Sequence, residues 1–140
     1  MPYRHSVSVA GAVYDRARNA FLVIERADNG KWELPGGILE EHETVLDGLQ
    51  REVEEETGVL VEPLWLSGVY KNMTLGVVAL VFRCEVMSGS PHATDESKGV
   101  RWMTPVEVEQ MMSPAFAKRL LDALEDGHVP IRQHDGTKLL

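Results

Sequence analysis

Cysteine is almost absent from the 140-residue chain: Cys84 is the only one. A lone cysteine excludes an internal disulfide framework and any zinc site built on several thiolates. The histidines His5, His42, His92, His128 and His134 fall at no zinc-ligand spacing. No apolar run approaches the ~20 residues that span a bilayer. Met1-Pro2-Tyr3-Arg4-His5-Ser6 has no hydrophobic signal core. A soluble, cytoplasmic protein without a membrane partner is the expectation. Basic residues are also scarce, with Lys+Arg 14 against Asp+Glu 22 and a net charge of -8. Nucleic-acid backbones are held by Lys/Arg patches, so no nucleic-acid partner is expected. Repeats, low-complexity tracts and linkers are missing, and Gly30-Lys31-Trp32 lacks the remaining glycine and the hydroxyl residue of a P-loop.

Enough apolar material is present, 44% of residues, for one core, and one domain over 1–140 is expected. Residues 5–14 alternate as a strand, with Gly11 as a bulge, and 20–26 form a second strand in a hairpin with it. Trp32-Glu33-Leu34 is a short extended piece, and Gly36-Gly37 a flexible corner. From Thr44 to Thr57 the spacing predicts a helix, with Val45, Leu46, Leu49 and Val53 as its buried stripe and Gly58 as its stop. Strands follow over 59–70, 75–87 and 99–103, then helices opening at Thr104-Pro105 and Ser113-Pro114, the second running to about Asp126. Residues 128–140, with Pro130 and Gly136, show no clear period and read as a tail. The mixture implies a mixed sheet covered on both faces. Cys84 reads as an inert packed residue, and Met111-Met112 as packing.

The acids are not evenly spread. Nine of them (Glu40, Glu41, Glu43, Asp47, Glu52, Glu54, Glu55, Glu56 and Glu62) lie between residues 40 and 62 against the single base Arg51, so this stretch holds the whole excess. Glu52, Glu55 and Glu56 stand at i, i+3 and i+4, which puts them on one side of the helix. Like charges at that spacing weaken a bare helix. Either the face is simply solvated, or divalent cations, which prefer oxygen ligands and also bind substrate phosphates, offset the repulsion.

Reading from Gly37, five residues lead to Glu43, and seven more to Arg51-Glu52-Val53-Glu54-Glu55-Glu56-Thr57-Gly58-Val59. This resembles the signature of the Nudix hydrolase family, G-x5-E-x7-R-E-U-x-E-E-x-G-U with U aliphatic, at every specified position. Leu34-Pro35-Gly36-Gly37 looks like the family's usual approach to it. The resemblance implies an α/β fold, a Nudix-type α/β/α sandwich with a mixed β-sheet and a loop–helix–loop catalytic motif. It implies hydrolysis of a nucleoside diphosphate linked to another group, with Mg²⁺, or Mn²⁺ in its place. Carried over by position, Glu52, Glu55 and Glu56 would be metal ligands and catalytic groups, and Gly36 would add a backbone carbonyl. Gly37, Glu43, Arg51 and Gly58 would support the motif. Glu96, on the polar stretch before Trp102, matches a region where some members carry a metal-binding or base glutamate. Arg26, Trp32 and Tyr70 are candidate substrate contacts, with Lys71 beside the last.

The family's substrate markers are sparse. Met111-Met112-Ser113-Pro114 replaces the stretch where mutator-type hydrolases of oxidised dGTP carry a purine-reading asparagine. Leu75, Gly76 and Val77 lack the markers of the ADP-ribose and dinucleoside-polyphosphate subgroups, and the aromatic–proline array of NADH hydrolases is absent. A nucleoside triphosphate or a small nucleotide conjugate is the expected partner, and a homodimer is in keeping with the family. The alternative is a non-catalytic, nucleotide-sensing Nudix domain.

Overall fold

The computed structural model describes all 140 residues. Its elements run β1 (Ser6–Asp15), β2 (Ala20–Glu25), β3 (Trp32–Glu33), β4 (Gly36–Ile38), α1 (Val45–Thr57), β5 (Leu60–Asn72), β6 (Val77–Ser88), β7 (Gly99–Met103), α2 (Pro105–Met111), α3 (Pro114–Asp122) and β8 (Ile131–His134). The strands line up as β3-β2-β1-β6-β5-β8, with β4 on β1 and β7 on β2. The sheet is mixed: β1 runs parallel to β6 and β5 to β8, while the remaining pairs are antiparallel.

Alternation along the strands decides which helix covers which face. Val9 and Val13 of β1 and Leu22 of β2 pack with Leu49 and Val53 of α1. Ala10 and Ala12 of β1, and Phe21 and Val23 of β2, turn the other way, toward Val108 of α2 and Leu120 of α3. The result is an α/β/α sandwich with α1 on one face and α2–α3 on the other. Cys84 lies in the α1-side core, and burial pushes its thiol up to about 12, so it stays a packed thiol.

Several local expectations change in three dimensions. Gly11 is not a bulge: β1 pairs with β6 without interruption from Ser6↔Val77 to Val13↔Cys84. Leu46 is 47% exposed, because the buried stripe of α1 runs through Gly48, Leu49, Val53 and Thr57 instead. The last helix ends at Asp122 rather than near Asp126.

The segment 128–140 is not a loose tail. Its strand β8 extends the sheet, pairing parallel with β5 from Val69↔Ile131 to Asn72↔His134. A polar knot holds it there. Arg132 donates to both carboxylate oxygens of Asp122 on α3, at 2.8 and 2.9 Å. Tyr70 donates its hydroxyl to the same carboxylate at 2.7 Å.

Burial alone would raise the Asp122 carboxyl, but the Arg132 and Tyr70 hydrogen bonds outweigh it and hold the group below its ordinary value of 3.8. A depressed folded value means that this stability is fully present above the unfolded pKa. It is lost as pH falls through the still lower folded one. Asp122→Asn is therefore expected to cost about 2 kcal/mol at neutral pH. It should also flatten the acid side of the stability profile. Urea unfolding of both proteins between pH 3 and pH 7 measures this, and parallel acid limbs would refute it.

Candidate active site

α1 is the spine of the site. Thr44 caps its start, its side-chain oxygen accepting the Asp47 N–H at 3.2 Å. Gly58 ends it at φ 80, a backbone conformation that favours glycine, and returns its N–H to the Glu54 carbonyl at 2.8 Å. With one stripe committed to the core, Arg51, Glu52, Glu55 and Glu56 are left on the side facing β4 and solvent.

β4 is the other wall. Its glycines permit close approach: a Cβ on Gly37 would stand 2.5 Å from the Glu52 carboxylate, and one on Gly36 would run into the Val9 carbonyl and Ala10. Gly36 and Gly37 are thus not a flexible corner but strand residues, paired with Ala10 and Val9. Gly11 N–H to the Pro35 carbonyl and Leu39 N–H to the Val7 carbonyl alternate with Gly36, which therefore turns its own polar groups away from β1. Its N–H donates to Glu56 Oε1 at 2.6 Å. In an extended strand the carbonyl of a residue points to the same edge as its N–H, so the Gly36 carbonyl also faces the α1 side.

Arg51 distributes its guanidinium over the acids. It grips Glu43 with two bonds, Nε to Oε2 at 2.8 Å and Nη2 to Oε1 at 2.6 Å. Its Nη1 meets Glu52 at 3.0 Å and Glu55 at 3.1 Å. Glu43 also accepts the Glu40 N–H at 2.9 Å, which ties the loop before α1 to the helix. These contacts, the Arg51 hydrogen bonds foremost, pull the Glu43 carboxyl down to about 2. Glu56 moves the opposite way: burial pushes it up to about 7, and the Glu52 charge adds to that against the Gly36 N–H. Burial likewise raises Glu52, against Arg51. Arg51 compensates Glu43 most fully, whereas at Glu52 and Glu56 burial outweighs the positive charge and hydrogen bonds they receive.

The loop Thr94–Ser97 is latched to the end of α1. Thr94 donates its hydroxyl to the Glu55 carbonyl at 2.5 Å and Ser97 donates to the Glu56 carbonyl at 2.8 Å. Glu96 rides on this loop, exposed, its backbone N–H on Thr94 Oγ1 at 3.1 Å. The structure brings its loop to the site and makes no hydrogen bond or ion pair through its carboxylate.

Between β1, β4 and α3 runs a cleft of about 410 Å³, reaching from Gly36 and Gly37 past Arg26 and Glu33 to Phe116 and Arg119. It continues into a second lobe of about 520 Å³ that holds Trp32 and Met111. Arg26 lines the cleft but is engaged by Asp28 at 2.8 Å and Glu33 at 3.2 Å. Trp32 lines the outer lobe with Arg101 over its ring at 5.8 Å. Tyr70 is the one candidate contact that the structure removes. It is fully buried, and its hydroxyl is spent on Asp122. Glu33, Asn72, Phe116 and Arg119 are cleft residues that sequence reasoning missed. Phe116 and Arg119 sit on an ordinary amphipathic helix, and no local pattern sets them apart.

No three His, Cys, Asp or Glu side chains converge as a metal centre, because Glu52 and Glu55 lean on Arg51 and Glu56 on Gly36. The donor set nevertheless suits a hard divalent cation. It is all oxygen, Glu52 and Glu56 are half-buried with too little positive charge to offset that burial, and glycine lets β4 come within reach.

The NUDIX domain model matches residues 4–124. A MutT-like protein of Streptomyces ambofaciens is 53% identical over 139 residues, covering 99% of this chain and 90% of that protein. The 8-oxo-dGDP phosphatase NUDT18 of Danio rerio is 35% identical over 101 residues, 67% of this chain and 31% of that protein. A crystal structure of a NUDIX hydrolase from Nitrosomonas europaea superposes with a TM-score of 0.79 at 25% identity, covering 95% of this chain and 82% of that one.

Proposed function

The chain belongs to the Nudix hydrolase family, and from that premise we propose that it opens the phosphoanhydride of a nucleoside triphosphate or a small nucleotide conjugate, with water attacking phosphorus. Family membership carries the general reaction, hydrolysis of a nucleoside diphosphate linked to another group. One observation supports the rest: Glu52 and Glu56 stand against Gly37 and Gly36, the two glycines that line one end of a cleft large enough for a nucleotide.

Glu52, Glu55, Glu56 and the Gly36 carbonyl would hold Mg²⁺, or Mn²⁺ in its place. When bound, such a cation neutralises phosphate oxygens and acidifies water. The chain's own residues supply the framework. Arg51 fixes the loop–helix junction through Glu43 and orients Glu52 and Glu55 from one guanidinium nitrogen. Gly36 holds Glu56 by its N–H. Thr94 and Ser97 keep the Glu96 loop against the C-terminal end of α1, and the family resemblance makes Glu55, Glu56 and Glu96 the candidates to take the water proton.

The test is hydrolysis of a panel of nucleoside triphosphates, dinucleotides and nucleotide sugars, read as released phosphate or pyrophosphate for the triphosphates and as nucleoside monophosphate for the dinucleotides and nucleotide sugars. Turnover is expected with Mg²⁺ or Mn²⁺ and should fall at least about a hundredfold in chelator. A chelator-insensitive rate would overturn the metal part of the reading, and silence across the panel would overturn the substrate class.

A further inference from the structure

Arg119 is a buried cation in the cleft to which the protein supplies no anion. It is 7% exposed, and its Nε has no hydrogen-bond partner. Its faces are covered, with the guanidinium 4.6 Å from the Phe116 ring centroid and 5.2 Å from that of Tyr70. Its N–H edge is nearly closed to solvent as well, Nε included. The single polar group against it is His134 Nε2, 3.0 Å from Nη2.

That nitrogen is contested. His134 Nδ1 stands 2.9 Å from the Gly136 N–H. Burial and the Arg119 charge both lower the pKa of His134, which keeps the ring neutral. A neutral imidazole has one acceptor nitrogen, so it cannot serve Gly136 and Arg119 together. Glu33 lines the same cleft and acts on Arg119 through space, yet it is paired with Arg26 instead. An unpaired buried cation is a stability cost that a methionine of similar volume would avoid. Arg119 lines the cleft, so a ligand seated there can be the partner that its guanidinium lacks.

On the reading above, the phosphates lie at the Gly36–Glu56 end. The aromatic end, with Phe116 one helical turn from Arg119 and Trp32 in the adjoining lobe, is then the place for the base. A guanidinium presents paired donors and so matches two neighbouring acceptors on one edge. A purine with a 6-keto group offers O6 and N7, whereas a 6-amino purine places a donor at position 6. Glu33, in the same cleft, has its Oε2 on Arg26 and its Oε1 free to accept the ring N1–H that a 6-keto purine carries and a 6-amino purine lacks. We infer that Arg119 is a specificity-determining residue that selects 6-keto-purine nucleotides over 6-amino-purine nucleotides.

Calorimetric titration of GMP and AMP into the metal-free protein in chelator tests this, beside R119M and R119K. The parent should bind GMP at least about tenfold tighter than AMP. R119M should lose that margin by weakening GMP alone, and its melting temperature should not fall, because an uncompensated buried charge has been removed. R119K keeps the charge without the planar fork and should lose most of the margin. Equal affinities in the parent, or equal losses of GMP and AMP in R119M, would overturn the inference. Turnover with Mg²⁺ is read separately. A parent that prefers GMP but hydrolyses nothing sinks the hydrolytic reading alone, and one that hydrolyses GTP and ATP equally well sinks the selectivity alone.

Discussion

Glu56→Gln is expected to lower turnover at least about a hundredfold while the protein remains folded. The amide oxygen can still accept the Gly36 N–H, so the link between β4 and α1 survives. What disappears is a negative charge beside Glu52. Burial raises the Glu56 carboxyl to about 7, so above that pH the folded, cation-free protein holds an ionised group in a site that disfavours it. The sign follows: a carboxyl raised on folding takes stability away as pH climbs from its unfolded value toward the folded one. In chelator at pH 8, E56Q should therefore melt no lower than the parent, and a large drop in its melting temperature would show that the carboxylate is needed for folding instead. Glu55→Gln serves as the paired measurement. Glu55 is exposed and shares Arg51 with Glu52, so its loss leaves the fold untouched, and its effect on rate reports chemistry alone. Full turnover in both variants would remove these carboxylates from the reaction.

The helix and its acids were legible because everything needed to place them is local. A cap, a 3.6-residue stripe and a terminal glycine define α1 within 15 residues of sequence, and i, i+3, i+4 spacing then fixes which acids share a side. Leu46 shows the limit of that logic. Spacing admits it to the stripe, but the sheet that α1 covers meets Gly48 and Leu49, and Leu46 falls outside the contact.

β8 was illegible for a different reason. Four residues, Ile-Arg-Gln-His, are too few to show a period, and their partner is β5, some sixty residues away in sequence. Tyr70 was misplaced by the same ignorance. Until β8 and α3 close over that end of the sheet, its hydroxyl looks free, and Asp122 and Arg132 are what consume it. Arg119 belongs with them. Whether an arginine on a helix is a solvated charge or a buried one without a counterion depends on His134 and Phe116 arriving from elsewhere.

The glycine wall makes the sharpest separation between fold and chemistry, because its two members are blocked by different things. At Gly36 an added methyl meets the Val9 carbonyl and the Ala10 backbone, neither of which can rotate away. β4 would have to leave β1, so Gly36→Ala should cost about 3 kcal/mol and lower the melting temperature, with activity falling as the folded fraction falls. At Gly37 the obstacle is the carboxylate of Glu52, the far end of a flexible side chain. It can swing aside at the cost of its place between β4 and Arg51. Gly37→Ala is thus expected to unfold within about 1 kcal/mol of the parent while losing at least about tenfold in kcat. Thermal melts and steady-state rates on the two proteins distinguish these outcomes. If Gly37→Ala kept parental kcat, Glu52 would not need to stand where the wall now holds it. If it unfolded like Gly36→Ala, the wall would be a packing feature rather than the mould that sets a carboxylate in position.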